Sequence, residues 1–322
     1  MRATTSVEHA DRIHAAVRSD AAAKSALIAS WRRSAQLHRL DPAALRSPRR
    51  LSDAELGDRR ENIEPLIRAA QPSLDRLYQA VGGVGCCVLL ADRQGIPVDR
   101  RGAPCDDLTF RDWGLWPGTV WSEESEGTNG IGTCLAEQRT LTVHRDQHFF
   151  TRNTDLSCTT APIFDHEGRV AAALDVSSCR ADLTEGFVQL IALAVADAAR
   201  RIEAENFRLA FPKERILLAP LGERAAGALL AVDADDLVVG ASRSARAALG
   251  ITELGLARGL PVADLLGSPA AETSDLDAAE RAALRRALAR AEGNVSAAAA
   301  NLGISRATLH RKLARYGITR AH

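Results

Sequence analysis

The chain has 322 residues, of which 46% are hydrophobic and 25% are charged, and its 41 basic and 41 acidic residues give a formal net charge of zero. This length and composition are typical of a globular protein with two or three domains. No apolar run approaches eighteen residues and none follows basic residues near residue 1, which argues against a membrane span and a signal peptide. We therefore expect a cytoplasmic protein that does not contact a membrane.

Helical patterns predominate in residues 1–80. Ala, Leu, Ile and Arg recur over residues 9–40 and again over residues 52–81. We expect helix breaks or new helix starts at Pro65 and Pro72, because proline lacks the amide hydrogen that a helix interior uses. Residues 1–80 are predicted to form a helical region that packs on the next domain.

Residues 81–208 show strand patterns that end in a long helix. Short apolar runs bounded by turn residues predict strands. Residues from Leu183 to Arg208 carry one apolar stripe at helical spacing, which predicts a helix. Helices, a mixed sheet and an exit helix in this order are typical of an α+β domain. The predicted strands are Cys86–Asp92, Thr140–His144, Thr159–Phe164 and Val170–Ser177.

The next segment, residues 209–270, gives a weaker pattern. Two strands, Ala228–Val232 and Leu237–Val239, flank a run rich in Asp, and a helix is predicted over Ser242–Leu249. The segment is predicted to be either a small third domain or a structured linker.

Residues 276–322 show three helical patterns joined by tight turns. The first two cover about Asp277–Ala291 and Val295–Leu302. Gly303 supplies a sharp turn, and Ser305 is a favourable N-cap for the third helix. This order predicts an all-α helix-turn-helix whose last helix enters the major groove of double-stranded DNA.

The predicted third helix carries the residues expected to contact DNA. Leu309 and Leu313 are assigned to its core. Arginine can bind guanine with two hydrogen bonds, threonine can touch a thymine methyl or a phosphate, and lysine binds phosphate. Arg306 and Arg311 are assigned to bases or adjacent phosphates, and Thr308 to either. The DNA-contacting set is Ser305, Arg306, Thr308, His310, Arg311 and Lys312, with His310 and Lys312 on the DNA backbone.

The charge distribution agrees with this assignment. Residues 276–322 contain nine Lys or Arg and three Asp or Glu, a net charge of +6, so the remainder carries −6. A basic module attached to an acidic body suits a DNA-binding head on a domain that does not bind DNA.

Residues 280–318 closely resemble the helix-turn-helix of the bacterial factor for inversion stimulation, Fis, which bacterial enhancer-binding proteins share. The matching residues are Gly293-Asn294, Ala298-Ala299, Gly303-Ile304, Arg306, Thr308-Leu309, Lys312-Leu313 and Tyr316-Gly317. The resemblance implies a homodimer that places two recognition helices one helical turn apart on near-palindromic DNA.

Residues 20–208 resemble the sensor half of the acetoin-catabolism activators, which in that family contains a GAF domain. The resemblance rests on residues 27–34, on Leu40-Asp41-Pro42, on SEGTNGIGTCLAEQRTLTVHRDQHF and on LSCTTAPIFDHEGRVAAALDVSS. It implies a six-stranded antiparallel sheet that holds a small-molecule effector of unknown identity, with no resident cofactor. Residues 228–249 faintly resemble a truncated PAS-like domain.

The effector pocket is predicted around the glycine-rich run. This run lacks the GxxxxGK[ST] phosphate-binding pattern, and we expect it to turn the chain into a short helix over the pocket. Each candidate has the alternative of being plain core. The candidates are Trp121, Thr128, Asn129, Cys134, Phe149, Phe150 and Cys158.

Other kinds of site are less well supported by the sequence. His144, His148 and Cys158 offer at most three metal ligands, and His144 closes a strand, so no metal site is predicted. The six cysteines form no CxxC pair, and we expect them to be small buried hydrophobic residues. Redox sensing through the cysteines of the GAF domain, and thiol-dependent reduction of methionine sulfoxide, remain alternatives; the first would need an exposed thiol of lowered pKa.

The acetoin activators carry an ATPase domain between sensor and helix-turn-helix that remodels the sigma-54 polymerase. Here about 70 residues separate Arg208 from Glu280, and neither a P-loop nor a GAFTGA sequence occurs. We therefore predict a ligand-responsive, nucleoid-associated transcription regulator, not an enzyme, that represses or recruits ordinary RNA polymerase without sigma-54 remodelling. A Fis-like architectural DNA-binding protein is the alternative.

Overall fold

The computed structural model describes residues 2–19, 22, 25–180, 185–219, 227–266 and 276–318. The chain divides into two compact units. The first unit comprises Met1–Phe164 and Val170–Asn206, and the second comprises Asp165–Arg169 and Phe207–His322. Within the described ranges no helix is both long enough and apolar enough to cross a membrane.

The first unit begins with helices, as predicted, but Pro72 does not break one. Pro65 lies at the start of its helix, where its missing amide hydrogen costs nothing, whereas Pro72 lies inside the same continuous helix. Leu74 and Leu77 follow it on a buried face, and this packing offsets the lost hydrogen bond. The helices are α1 Arg2–Arg18, α2 Ala26–Arg32, a π-helical turn Arg33–Leu37, α3 Asp53–Asn62 and α4 Glu64–Val81.

An antiparallel sheet forms the centre of the first unit. The four predicted strands are confirmed, and sequence reasoning missed a further strand, Pro97–Arg101. The described sheet therefore has five strands in the order β2-β1-β5-β4-β3, where six were expected. The strands are β1 Cys86–Asp92, β2 Pro97–Arg101, β3 Leu141–His144, β4 Ser157–Phe164 and β5 Val170–Ser178.

Both faces of this sheet are covered. On one face, α4 and the long helix α8, Glu185–Ala210, pack against alternate residues of β1, β4 and β5. The described part of α8 agrees with the predicted helix, whose first two residues lie outside the described ranges. On the other face lie short helices and their connecting loops. These are α5 Asp107–Asp112, α6 Glu123–Glu126 and α7 Gly130–Glu137.

The second unit contains a small antiparallel sheet of four described strands in the order β6-β7-β8-β9. The two strands predicted in residues 209–270 are confirmed, although the second extends to Ala241, and the helix ending at Leu249 is also confirmed. The elements are β6 Arg215–Leu218, β7 Leu229–Val232, β8 Leu237–Ala241, α9 Arg243–Leu249, α10 Glu253–Arg258, β9 Leu260–Pro261 and α11 Val262–Leu266.

The three predicted C-terminal helices are also present in the second unit. Gly293 has a φ of 81° and ends the first, and Gly303 has a φ of 67° and makes the turn before the third. Ala298 and Ala299 are buried, so the second helix approaches its neighbours closely, as its small side chains indicated. The helices are α12 Leu276–Arg290, α13 Val295–Asn301 and α14 Arg306–Arg315.

Candidate functional site

The start of α14 is held by a side-chain cap. The hydroxyl of Ser305 accepts a hydrogen bond from the backbone amide of Thr308 at 3.1 Å, which confirms Ser305 as the N-cap. Leu309 and Leu313 are buried against α12 and α13, as expected for the core side of this helix. The cap and the two leucines fix which face of α14 reaches solvent.

Three basic residues of α14 remain available on that face. Arg306, His310 and Arg311 are exposed, and none of them forms a hydrogen bond or ion pair with a residue in the described ranges. Arg306 and His310 are four residues apart, so their side chains project from the same side of the helix. The first turns of α14 therefore present guanidinium and imidazole groups that can donate to base edges or phosphates.

Lys312 differs from the outward orientation expected of it, whereas Thr308 is partly exposed. The Lys312 ammonium pairs with Glu280 of α12, and its side chain is only 30% exposed. The Thr308 hydroxyl lies 2.9 Å from that of Ser305. Hydrogen bonds from Lys312 and from Tyr316 lower the pKa of Glu280. Lys312 therefore helps to join α14 to α12, and its assignment to DNA phosphate stays a prediction.

The arginines of α12 are also occupied, by the acidic turn between β7 and β8. Arg285 contacts Asp233 at 2.9 Å and Asp235 at 2.5 Å, and Arg281 contacts Asp235 at 3.1 Å. Arg286 pairs with Asp236 at 3.3 Å. We call these six side chains the Arg–Asp cluster.

Because of this cluster, part of the +6 net charge of residues 276–322 is neutralised by ion pairs and is not available to DNA. The two central carboxylates, Asp235 and Asp236, are each 3% exposed, so their arginine partners neutralise them within the second unit. Arg290 is likewise paired with Asp264 at 2.7 Å. Many of the basic residues counted in the sequence therefore form ion pairs that join α12 to the small sheet and α11. Within the described ranges, the basic residues of this module without an ion pair lie on α14.

In the first unit, the seven candidate pocket residues are all at most 3% exposed. The indole of Trp121 donates to the carbonyl of Gly114 at 2.8 Å and packs with Cys158 in one apolar cluster. Phe149 and Phe150 belong to a different cluster, with their ring centroids 5.5 Å apart. The structure therefore does not bring the seven together around one space, and their role as ligand contacts stays a prediction.

The remaining three candidates surround the start of α7. Asn129 caps this helix, its side-chain oxygen accepting from the amide of Gly132 at 2.8 Å, and Thr128 precedes it. Cys134 lies fully buried on the helix. The glycine-rich run thus turns the chain into a short helix, as expected.

The glycines of this run are required by close packing. A β-carbon on Gly132 would lie 2.4 Å from the backbone nitrogen of Glu123 and 2.6 Å from the carbonyl oxygen of Trp121. A β-carbon on Gly130 would lie 2.6 Å from the Thr160 hydroxyl. These glycines therefore let α7 approach both the preceding loop and the sheet.

A buried polar cluster that sequence reasoning missed lies on the sheet beneath Gly130. The Asp175 carboxylate accepts hydrogen bonds from Thr160 at 2.5 Å and from Ser177 at 2.6 Å. Burial raises the pKa of Asp175 to about 6, and the two hydroxyls partly offset this effect. The available signal was a single acidic residue within the otherwise apolar and small run of β5.

A second missed network joins α2 to the loop before α7. The Ser30 hydroxyl donates to Glu123 at 2.7 Å and lies 2.7 Å from the Thr128 hydroxyl. Arg33 contacts Glu123 through two nitrogens, each at 3.1 Å, and contacts Glu137 at 2.8 Å. Ser30 and Arg33 lie within the segment 27–34 that carried the family resemblance, which was the available signal.

A cavity of about 480 Å³ adjoins this network. Its lining comes from separate segments, which include the π-helical turn, the β1–β2 turn, α3 and α7. None of the seven candidate pocket residues lines it. Four arginines contribute to its wall, namely Arg33, Arg49, Arg59 and Arg93.

The two histidines considered as metal ligands have protein partners. His144 Nδ1 lies 2.9 Å from the Ser157 hydroxyl, and His148 Nδ1 lies 2.9 Å from the carbonyl oxygen of Arg145. His148 is fully buried, and this burial lowers its pKa to about 4. Across the described ranges, no group of three His, Cys, Asp or Glu side chains is placed to hold a metal ion.

The cysteines differ in exposure. Cys86, Cys87, Cys134 and Cys158 are buried, as expected, whereas Cys105 is exposed and Cys179 is partly exposed. Burial raises the pKa of Cys134 and of Cys158. A redox-sensing thiol needs exposure and a lowered pKa, so the buried environment of these two does not favour that role.

Two protein families account for most of this architecture. The GAF domain family matches residues 65–202, and the Fis family of bacterial regulatory proteins matches residues 276–316. The chain thus combines a GAF domain with a C-terminal Fis-type helix-turn-helix in an α+β multidomain fold, which confirms the predicted fold class. The sequence between the two matches contains no ATPase domain.

Among curated proteins, the chain is homologous to acetoin catabolism regulators, as the resemblance predicted. It is 37% identical over 257 residues to the acetoin catabolism regulatory protein of Cupriavidus necator, covering 78% of this chain and 38% of that protein. It is 28% identical over 200 residues to the acetoin dehydrogenase operon transcriptional activator AcoR of Bacillus subtilis, covering 62% and 32%. The chain thus spans about a third of the length of these relatives.

A solved structure supports the fold. The E. coli DhaR(N)–DhaL complex contains a chain that aligns with a TM-score of 0.52 at 13% identity, over 70% of this chain and 76% of that one. At this identity the likeness concerns the fold alone.

Proposed function

We propose that this protein is a cytoplasmic, nucleoid-associated transcription regulator that binds near-palindromic DNA as a homodimer and responds to a small-molecule effector. The observation that carries the proposal is the exposed face of α14. Arg306, His310 and Arg311 have no partner in the described ranges, while the arginines of α12 and Lys312 are ion-paired. Unpaired donors on one helix face suit major-groove contacts.

The output is proposed to come from DNA occupancy, by repression or by recruitment of ordinary RNA polymerase. The sequence between the GAF and Fis matches has neither a P-loop nor a GAFTGA loop, so no sigma-54 remodelling motor is proposed. In vitro transcription tests this point. A response of the sigma-54 holoenzyme that requires ATP hydrolysis by this protein would contradict it.

A homodimer is proposed through the exposed side of α8. Leu190 and Leu193 are 61% and 70% exposed, whereas Ile191 and Val195 of the same helix face the core. Two exposed leucines three residues apart form an apolar ridge that a second copy could cover. Light scattering on the full chain should give a dimer mass, and Leu193→Glu should shift it towards the monomer.

DNase I footprinting on the DNA upstream of the gene itself tests whether the helix-turn-helix binds DNA selectively. The full chain should protect two half-sites about one helical turn apart. Arg306→Ala should abolish the selective footprint at the wild-type protein concentration. Arg76 is an exposed arginine on α4, outside the helix-turn-helix, so Arg76→Ala is the matched control and should leave the footprint unchanged. Protection that is identical in wild type and Arg306→Ala would contradict the proposal.

A further inference from the structure

The cavity of the first unit has the size of a small-molecule site. Its volume of about 480 Å³ falls within the roughly 300–1,000 Å³ of typical ligand pockets. Segments distant in sequence meet there, from the π-helical turn to the first turns of α7. Such convergence on one concave surface is how a fold builds a binding site rather than a chance groove on one element.

The cationic side chains of the cavity are not all neutralised by neighbours. Arg33 is fully engaged, because Glu123 and Glu137 both contact it. Arg59 lies 3.6 Å from Asp92, and the contact between Arg49 and Glu55 is 4.0 Å long.

Arg93 forms no ion pair with any residue in the described ranges. Two carboxylates line the same wall, and one of them, Glu123, is already shared by Arg33 and Ser30. The second, Glu124, is exposed. Four arginines and two glutamates line the cavity, so its lining carries a formal excess of two positive charges, and an anion is the ligand charge that it favours.

Part of the remaining lining is apolar. Leu51, Ile96, Val120, Leu135 and Ala136 contribute hydrocarbon surface to the wall. An inorganic anion would leave this surface in contact with water, whereas a ligand with a hydrocarbon part would bury it, at roughly 25 cal/mol per Å². The combination selects a molecule that has one anionic end and one apolar part.

We propose that this cavity binds a small organic acid, whose carboxylate pairs with Arg49, Arg59 and Arg93 and whose hydrocarbon part covers the apolar wall. The inference rests on the proposed function, because it names the chemical class of the effector. Glu123 connects the site to the rest of the fold, since it lines the cavity and also holds Ser30 of α2.

Matched pairs of probes test the charge requirement on the full chain. Benzoate and benzamide, and hexanoate and hexanamide, share size and apolar surface within each pair but differ in charge. Thermal shift and isothermal titration calorimetry should show binding of at least one acid and at least tenfold weaker binding of its amide. If neither acid binds more tightly than its amide, the proposal is wrong.

Variants locate the binding. Arg93→Gln removes an exposed cation with no ion pair in the described ranges, so the fold should persist, and the acid should bind about tenfold more weakly, as expected for loss of a charge-assisted hydrogen bond. Arg49→Gln should act in the same direction. Arg76→Gln makes the same charge change outside the cavity and should leave the affinity unchanged. Equal weakening by Arg93→Gln and Arg76→Gln would place the binding elsewhere and overturn the proposal.

Failure here and failure of the proposed function are distinguishable. The probe assays contain no DNA, and the footprint assay contains no probe. Acid binding without a footprint would leave the cavity assignment intact and contradict the regulator. A selective footprint without acid binding would support the regulator and contradict the cavity assignment.

Discussion

The buried carboxylate of Asp175 gives the sharpest prediction about the fold. Asp175 is 0% exposed at the centre of the main sheet, and its hydrogen-bond donors are the neutral hydroxyls of Thr160 and Ser177. Above its folded pKa of about 6 the side chain is a buried anion without a cationic partner in the described ranges. We expect Asp175→Asn, which removes the charge and preserves the shape, to stabilise the protein at neutral pH.

The sign and size follow from proton linkage. Because burial raises the pKa of Asp175 from 3.8 to about 6, the folded state binds a proton that the unfolded chain has released between these values. The stabilisation by this proton is fully present below about pH 4 and is lost as the pH rises through about 6. Its full size is roughly 3 kcal/mol, at about 1.4 kcal/mol for each pKa unit. The part lost between about pH 5 and about pH 7.5 is roughly 1.4 kcal/mol.

Urea denaturation at about pH 5 and about pH 7.5 measures the effect. The gain in free energy of unfolding from Asp175→Asn should be larger at the higher pH by roughly 1.4 kcal/mol. Asp58→Asn removes one carboxylate from the exposed side of α3 and should give no comparable difference. The same change in stability at both pH values for Asp175→Asn, whatever its sign, would refute the reasoning, because the charge would then not be what matters.

Three further predictions concern the helix-turn-helix, the Arg–Asp cluster and the glycine-rich run. Arg306→Ala should cost roughly 1–3 kcal/mol of DNA affinity and relax base preference, as fluorescence anisotropy would show. If the Lys312 ammonium exchanges Glu280 for a phosphate on DNA binding, Lys312→Ala should weaken all sequences equally and reduce the salt slope by about one; equal losses of both kinds from both variants would contradict these roles. Asp235→Asn should lower the free energy of unfolding by roughly 1–2 kcal/mol in low salt, because Arg281 loses an ion pair and Arg285 loses one of two, while both arginines are more than a third exposed; no loss would contradict a stabilising cluster. Gly132→Ala should cost roughly 1–3 kcal/mol or more, because a β-carbon there would lie 2.4 Å from a backbone nitrogen, whereas Gly57→Ala, with nothing within 4 Å, should be neutral or stabilising by up to about 1 kcal/mol in thermal unfolding; equal effects of the two substitutions would contradict the packing argument.

The helix-turn-helix could be predicted because its signals are local. A glycine with positive φ, a serine N-cap and two leucines at helical spacing act within a few residues of one another. Their meaning does not depend on distant parts of the chain. For the same reason the strands of the main sheet were found from short apolar runs, except β2, whose Asp and Arg residues hid it.

The sensor site could not be predicted in the same way. Sequence identifies Trp121 and Phe149 as apolar residues that a fold will bury, but whether they surround a space or fill it depends on packing between distant segments. The cavity wall includes Arg49 and Arg93, which as exposed arginines outside any motif carry no signal in the sequence. Pro72 shows the same limit, because its local preference is overridden by the burial of Leu74 and Leu77.

The charge of the terminal module shows why a count of charges differs from a description of a surface. The sequence assigns +6 to residues 276–322, which indicates a general attraction to phosphate. In the fold, Arg281, Arg285 and Arg286 are paired with carboxylates of the small sheet, two of which are buried. These arginines cannot reach phosphate without leaving partners that would then be buried and unpaired, at a cost of several kcal/mol. DNA affinity should therefore depend less on salt than the count of nine basic residues suggests, and it should depend most on Arg306 and Arg311.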